Sequence, residues 1–285
     1  ADSTHAGVLA PYEYVYEILK AATLYSPIRQ LARIRQTSSY AIELPTETAV
    51  PSASAVAESA EKTEDTGWEF ALTEIKTFEA KMLLKATQKM LEDSAFNLEA
   101  EISDLAARRF GVWEGTQFVG GDGTTEPEGF LVNSTVTAAA VSTAASNAIS
   151  VDDLIGLQYS LASPYVPNAT WVMRRSTVGT LMKLKNATTN GYLLEPQLQK
   201  GQPNYLLGSP IVEAVDMPAG LVDNQYEIAY GDFRAGYTIV DRVDVTIQRL
   251  IEKYAEFGMI GFLVRRRVGG KVVMPEAIKL LKILV

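Results

Sequence analysis

The chain has 285 residues, with 26 Lys and Arg against 34 Asp and Glu, a single His and no Cys, so its net charge is 26 − 34 = −8 at neutral pH. A hydrophobic fraction of 47 % can fill a real core, but the lack of cysteine excludes disulfides, a thiolate nucleophile and Cys-ligated zinc. His5 alone cannot build a multi-histidine metal site or serve a Ser-His-Asp triad, an acidic chain is a poor phosphate reader, and the widest apolar run, 259–264, is too short to cross a bilayer.

Residues 1–10 are small and polar and read as flexible unless something docks them; no basic-then-apolar leader for secretion is visible there. Tyr12, Val15, Ile18, Leu19 and Ala22 then form a helical stripe over 11–24, with Pro11 in the first turn. Alternation at 40–44 and again at 68–72 predicts two strands. Between them lies a small, polar, acidic stretch. Residues 41–70 hold Glu43, Glu47, Glu58, Glu61, Glu64, Asp65 and Glu69 against Lys62, or 1 − 7 = −6. Two strands leading into a charged tip with little to bury describe an extended hairpin arm.

Strand-like text continues over 70–84. Asp93 and Ser94 then offer an N-cap to a long amphipathic helix expected to end near Phe110 and Gly111. Leu98, Ile102, Leu105 and Ala106 commit one face of it to packing, and Asp104 and Arg108 stand at the favourable i,i+4 spacing. The glycine-rich stretch that follows, with Gly121, Asp122 and Gly123 at its centre, lacks a Gly-Lys-Ser/Thr signature, and its helix precedes the glycines. Asp122, Glu126 and Glu128 show no calcium ligand ladder. A structural hinge turn at Gly121, Asp122 and Gly123 is the expectation.

Residues 133–148 read as a connector with some strand propensity. Asp152 and Asp153 are expected to cap a short helix over 154–161, residues 170–173 to form a buried strand, and Ser176 to cap a helix over 177–185 closed by Asn190 and Gly191. Turn-strand text at 203–215 and a strand at 226–230 complete an interleaved α/β or α+β unit. The clearest strand follows, with Tyr237, Ile239, Val243, Val245 and Ile247 expected on one face and Thr238, Arg242, Asp244, Thr246 and Gln248 on the other. Its partner is expected over 259–268, ending in a Gly269-Gly270 turn, and 277–285 closes as a strand. The partner strand carries Arg265, Arg266 and Arg267, with Arg265 and Arg267 on one face and Arg266 on the other. Two readings stand for this run: a solvated strand end, or a basic surface that receives the acidic arm of a neighbouring copy.

This order of elements resembles the major capsid protein of tailed phages, the HK-ninety-seven-type shell fold. The most specific pieces are Gly121-Asp122-Gly123 leading to Glu128-Gly129-Phe130, the run 191–196, the run 207–212, Gly231-Asp232-Phe233 six residues ahead of the strand at Tyr237, and Arg267 eight residues before Pro275. The resemblance implies an α+β fold divided into an N-terminal arm (1–32), an extended hairpin or E-loop lying across a neighbour (33–76), a peripheral domain in two parts (77–121 with the long helix, and 237–272) and an axial domain (122–236) closed by the strand at 273–285. It implies self-assembly as pentamers and hexamers into an icosahedral virion shell around double-stranded DNA. That DNA is enclosed without sequence-specific binding, and assembly takes place in the host cytoplasm without a membrane. Portal protein, scaffold or maturation protease and decoration proteins are the implied partners; no cofactor, metal or catalytic residue is implied.

Intersubunit contacts are expected at Glu43, Glu47, Glu58, Glu61, Lys62, Glu64, Arg265, Arg266 and Arg267. In one branch of the family an E-loop lysine bonds covalently to a neighbour's asparagine with the help of a glutamate. Lys62 matches that lysine, but Gly258 and Arg265 occupy the other two positions, so no crosslink is expected. Ala1 fits either maturation cleavage or removal of an initiator Met. Two alternatives remain at this stage. One is an encapsulin-type nanocompartment shell, whose cargo groove the helix at 11–24 could supply. The other is a carboxylate-dependent enzyme using Asp152/Asp153 or Glu126/Glu128, residues that also suit plain helix caps.

Overall fold

The computed structural model describes residues 27–49, 67–89, 98–184 and 205–284. The helix expected at 11–24, the arm tip with Glu58, Glu61, Lys62 and Glu64, the cap at Asp93 and Ser94, and the run 191–196 lie outside the described residues. Three sheets organise the rest. A four-stranded sheet has the order β1 (Arg33–Gln36), β10 (Tyr237–Leu250), β11 (Met259–Val272), β4 (Phe78–Thr87). A six-stranded sheet has the order β5 (Val141–Ser146), β12 (Ile278–Leu284), β9 (Tyr226–Gly231), β6 (Thr170–Met173), β8 (Ser209–Glu213), β7 (Tyr205–Leu206). The third is a two-stranded antiparallel ribbon, β2 (Ala41–Ala49) with β3 (Glu69–Lys76).

In the four-stranded sheet β1 runs parallel to β10, while β10–β11 and β11–β4 are antiparallel. Residues 33–36 therefore belong to this sheet, and the ribbon proper starts at Ala41. The even-numbered residues of β4 and β11 face inward, where Ala80, Ile260, Phe262 and Val264 pack on the helix α2 (Leu98–Gly120) through Ile102, Ala106 and Phe110. No α-helix covers the odd-numbered face among the described residues, but at one end Tyr254 of the short helix Glu252–Phe257 stands over Gly261 and lies 4.5 Å from the Lys85 ammonium.

The six-stranded sheet is covered on both sides. Leu154 and Leu157 of α4 (Val151–Tyr159) and Val178 and Leu181 of α5 (Arg175–Met182) bury Trp171, Ile228 and Tyr230 from one side. The other side joins the end of α2 in a core built from Phe118, Val119, Phe130, Phe233 and Tyr237, whose rings meet edge-on at 5.3 to 6.4 Å. One continuous core thus ties the two sheets to the long helix.

Several sequence expectations are corrected. The long helix runs on to Gly120 instead of stopping at Gly111. Its second half is held by the burial of Phe118 and Val119, which outweighs the ~1 kcal/mol penalty of a glycine inside a helix. Residues 269 and 270 form no turn but lie inside β11. A Cβ on Gly269 would come 2.1 Å from the Lys76 carbonyl oxygen, and one on Gly270 would come 2.3 Å from the Tyr237 hydroxyl. Both glycines are there to admit a close neighbour.

Strict alternation along β10 also fails. Thr238, Ile239 and Val240 are all buried because both faces are covered there, and register shifts between Asp241 and Thr246 break the phase beyond. Ile247, expected on one face with Tyr237 and Ile239, is 42 % exposed where those two are fully buried. The connector at 133–148 holds a helix, α3 (Ser134–Ala138), capped by Asn133, and then β5. Ser150, with Asp153 answering it as a capping box, starts α4 three residues early. The helix expected from Ser176 begins at Arg175, with no side-chain cap. Asp232 caps α6 (Phe233–Gly236) through the amides of Arg234 and Ala235.

Candidate functional site

The ribbon β2/β3 leaves the body at Thr77, whose amide and hydroxyl both donate to the Tyr40 carbonyl, at 3.0 and 2.7 Å. Near this root Ile75 is fully buried, but further out the pair has no core of its own. Its two faces differ. Ile42, Leu44 and Thr46 on one face of β2 are half-buried, and Thr46 and Thr73 link across the strands at 3.3 Å. The other face is exposed and holds Glu43 opposite Glu74, Pro45 opposite Leu72, and Glu47 opposite Phe70. Trp68 extends it, donating its indole N–H to Glu47 and leaning on Phe70 at 5.1 Å. Trp68, Phe70 and Leu72 are 62, 57 and 67 % exposed. A run of large apolar side chains left in water on a two-stranded ribbon marks a contact surface.

The three arginines of β11 separate as strand geometry requires. Arg265 is exposed and donates to the Thr246 hydroxyl at 3.2 Å. Arg267 places Nε and Nη2 on Glu79 at 3.0 and 2.8 Å. Arg266 turns inward instead and enters a buried cluster of four charges. Its Nε stands 2.8 Å from Glu114 Oε1, off the N–H axis and so a charge contact more than a directed hydrogen bond, and its Nη2 lies 3.7 Å from Asp241. Arg29, from α1 (Ile28–Leu31), closes the cluster. It donates Nε and Nη2 to Glu114 at 3.0 and 2.8 Å, and Nη1 and Nη2 to Asp241 at 2.7 and 3.0 Å.

Burial pushes the Glu114 carboxyl above its usual range, against the pull of Arg29 and Arg266. For Arg29, burial works against the charge, but the hydrogen bond to Asp241 and the field of both carboxylates outweigh it and hold the guanidinium more firmly protonated than usual. This cluster fixes α1, α2, β10 and β11 to one another. Beside it Asp241 accepts the Thr37 amide on its carbonyl at 2.9 Å, and Arg242 donates to the Ser38 carbonyl at 3.3 Å, so the approach to the ribbon is tied to the same point. The sequence reading missed the cluster. Its one legible trace is Glu114, an acid set among the packing positions Phe110, Trp113 and Phe118 of α2.

At the glycine-rich turn, the Asp122 carboxylate accepts the amides of Thr124, Thr125 and Glu126 and the Thr125 hydroxyl, which together draw its pKa down to about 2. Asp122 bridges Glu128, the Glu128 carbonyl accepts the Tyr237 hydroxyl at 2.6 Å, and a Cβ on Gly121 would come 2.1 Å from the Pro127 carbonyl. The turn at Gly121, Asp122 and Gly123 is thus tied to both β10 and the end of α2.

The carboxylate pairs weighed for catalysis have structural partners: Asp153 holds the amides of Ser150 and Ala144, and Glu128 accepts the Asn133 side-chain amide. No group of three or more potential metal ligands occurs among the described residues. Gly258 is a left-handed turn residue after the short helix at Glu252–Phe257, and Arg265 is held by Thr246.

A family model described as the phage capsid family matches residues 6–283. The capsid of the native GTA particle is 30 % identical, covers 99 % of this chain and 98 % of its own, and superposes with a TM-score of 0.89. Chains from Microbacterium phage Oxtober96 (17 % identity, 97 % of each chain, TM-score 0.74) and Mycobacterium phage Bobi (19 %, 99 % of each, 0.70) share the fold. No curated protein matches the sequence.

Proposed function

The chain belongs to the phage capsid family, and from that premise we propose that this virion structural protein assembles as pentamers and hexamers into an icosahedral shell enclosing packaged double-stranded DNA of a tailed phage. The observation that carries the reading is the ribbon β2/β3, which leaves Trp68, Phe70 and Leu72 in water on a protrusion that buries little against its own body. Such an arm is completed by a sister subunit. In this reading the four-stranded sheet with α2 is the peripheral domain, the six-stranded sheet is the axial domain, and the ribbon is the E-loop.

Cohesion comes from many weak contacts repeated in each subunit, which become cooperative when the lattice closes. The net charge of −8 suits a container that does not grip its contents, because like charge weakens non-specific hold on phosphates. Assembly in the host cytoplasm, and dealings with a portal, a scaffold or maturation protease and decoration proteins, belong to the same proposal.

The test is sedimentation and negative-stain imaging of the concentrated protein. Closed shells, or capsomers that convert to them, are expected. A compact species of single-chain mass under all buffers would sink the reading. Shells that carry a protein cargo and never nucleic acid when produced with the phage packaging machinery would move it to the encapsulin-type alternative.

A further inference from the structure

The glycine-rich turn holds a chemical liability that its own geometry demands. In an Asp-Gly pair the glycine has no side chain to shield its amide nitrogen, which can close on the aspartyl side chain. Asp122 and Gly123 form such a pair and stand exposed at the tip of the turn, open to water. The fold has no safer residue for the second position, because Gly123 has a φ of +70° and a Cβ there would come 3.1 Å from Glu128 Cβ. The turn is fixed from below by the Asp122–Glu128 bridge, by the Gly129 amide on the Gly121 carbonyl and by the Glu128 amide on the Gly270 carbonyl, both at 2.9 Å.

Ring closure has two requirements. The carboxyl must be protonated, so that an oxygen can leave as water, and Cγ must turn its face to the Gly123 nitrogen. The bonds around Asp122 oppose both. Oδ1 accepts the amides of Thr124, Thr125 and Glu126 at 2.9, 3.0 and 3.1 Å, and Oδ2 accepts the Thr125 hydroxyl at 2.9 Å. These donors favour the ionised form and hold the carboxylate by both oxygens against the residues beyond Gly123.

We propose that Asp122–Gly123 is an isomerisation site of this chain, kept silent by the clasp of Thr124, Thr125 and Glu126 and open to reaction whenever that clasp lets go. In the open turn the Gly123 nitrogen bonds to Asp122 Cγ, its proton and the carboxyl hydroxyl leave together as water, and a succinimide ring forms. A second water then adds at the Asp122 α-carbonyl and breaks its bond to the Gly123 nitrogen. The main chain now runs through the former side chain, one carbon longer, with one water lost, one gained and the mass unchanged. The Asp122–Glu128 bridge and the amide clasp both need the original chain path, so a subunit that has reacted cannot close its turn again. This inference stands on the turn alone and does not depend on the shell reading.

The experiment follows isoaspartate at residue 122 in the full chain kept in warm neutral buffer, by enzymatic methylation of isoaspartyl groups and by fragmentation mass spectrometry of the peptide that holds it. Deamidation at the Asn190-Gly191 pair changes the mass and is counted apart. Because the reaction follows the fraction of time the turn is open, the folded protein is expected to react slower than the same chain in urea by about tenfold or more. Thr125→Val removes the only donor on Oδ2 among the described residues and is expected to speed the reaction of the folded protein by roughly three- to tenfold.

Two further variants keep the reading specific. Thr125→Ser keeps the hydroxyl and is expected to keep the slow rate. Thr124→Val, which removes a hydroxyl directed at the Asp122 carbonyl and not at its carboxylate, is expected to leave the rate unchanged. Urea midpoints equal to that of the unmodified protein separate a loosened clasp from a loosened fold. Equal rates in the folded and unfolded chain would overturn the proposal, as would a Thr125→Val rate no faster than that of the unmodified protein, a fast rate in Thr125→Ser, or the same acceleration from Thr124→Val. All of these rates are read on unassembled subunits, so failure to form shells, which would overturn the shell reading, leaves this test intact.

Discussion

At the scale of single residues, the four-charge cluster does what apolar packing alone does not, because it aligns elements of different sequence origin by directed contacts. Glu114 is nearly fully buried, with its side chain 5 % exposed, and it is answered by both Arg29 and Arg266. Removing one partner from such a group leaves the others desolvated and unbalanced, a change that costs about 3–5 kcal/mol when fully buried. Arg29 keeps 27 % of its side chain in water, which tempers the loss. Glu114→Gln should therefore lower the stability of the unassembled subunit by roughly 2–3 kcal/mol in urea unfolding, whereas Arg108→Gln, which breaks the pair with the half-exposed Asp104, should cost under about 1 kcal/mol. Equal losses for the two variants would mean that the cluster is no more than a surface ion pair. None of this geometry could be read from residue spacing: Arg29, Glu114, Asp241 and Arg266 are brought together only by the tertiary fold, and pattern reading sees one element at a time.

At the scale of elements, the sequence was informative wherever local pattern and tertiary environment agree. The ribbon strands, the amphipathic start of α2, the buried β6 and the long pair β10–β11 follow from period and punctuation alone. It misled where a residue type has two uses. Gly111 was read as a stop, yet packing on both halves of α2 carries the helix through it; Gly269 and Gly270 were read as a turn, yet they serve close approach inside a strand. The same contrast can be measured. Gly269 lies against the Lys76 carbonyl, a backbone atom at the root of the ribbon that cannot swing aside, so Gly269→Ala should lose about 1–3 kcal/mol. Gly179, inside α5, has open space where a Cβ would stand, and Gly179→Ala should gain about 0.4–1 kcal/mol. Urea midpoints of the two unassembled variants check both, and a stabilising Gly269→Ala would show that the ribbon root is free to shift.

At the scale of the whole molecule, the charge asymmetry legible in the sequence is −6 within thirty residues and three consecutive arginines far downstream. Arg266 faces the interior, while Lys81, unremarked in the sequence, shares the opposite face with Arg265, and Lys85 on that face lies 4.5 Å from the Tyr254 ring. What such surfaces can do is bounded by their chemistry. The chain has no cysteine, so no disulfide can lock subunits together. An isopeptide bond needs an amine, a carboxamide to attack and a carboxylate to take up the proton. At the two positions that would supply the acceptor and the acid stand Gly258, which has no side chain, and Arg265, a permanent cation already engaged with Thr246. A lysine on the arm would find neither electrophile nor base there, and every contact between subunits would remain reversible. Assembled shells, boiled in detergent and run on a denaturing gel, should therefore collapse to one band at the single-chain mass of 31.1 kDa, and Lys62→Ala should leave that pattern unchanged. A ladder of covalent oligomers in the unmodified protein that vanishes in Lys62→Ala would show that another acceptor completes the bond.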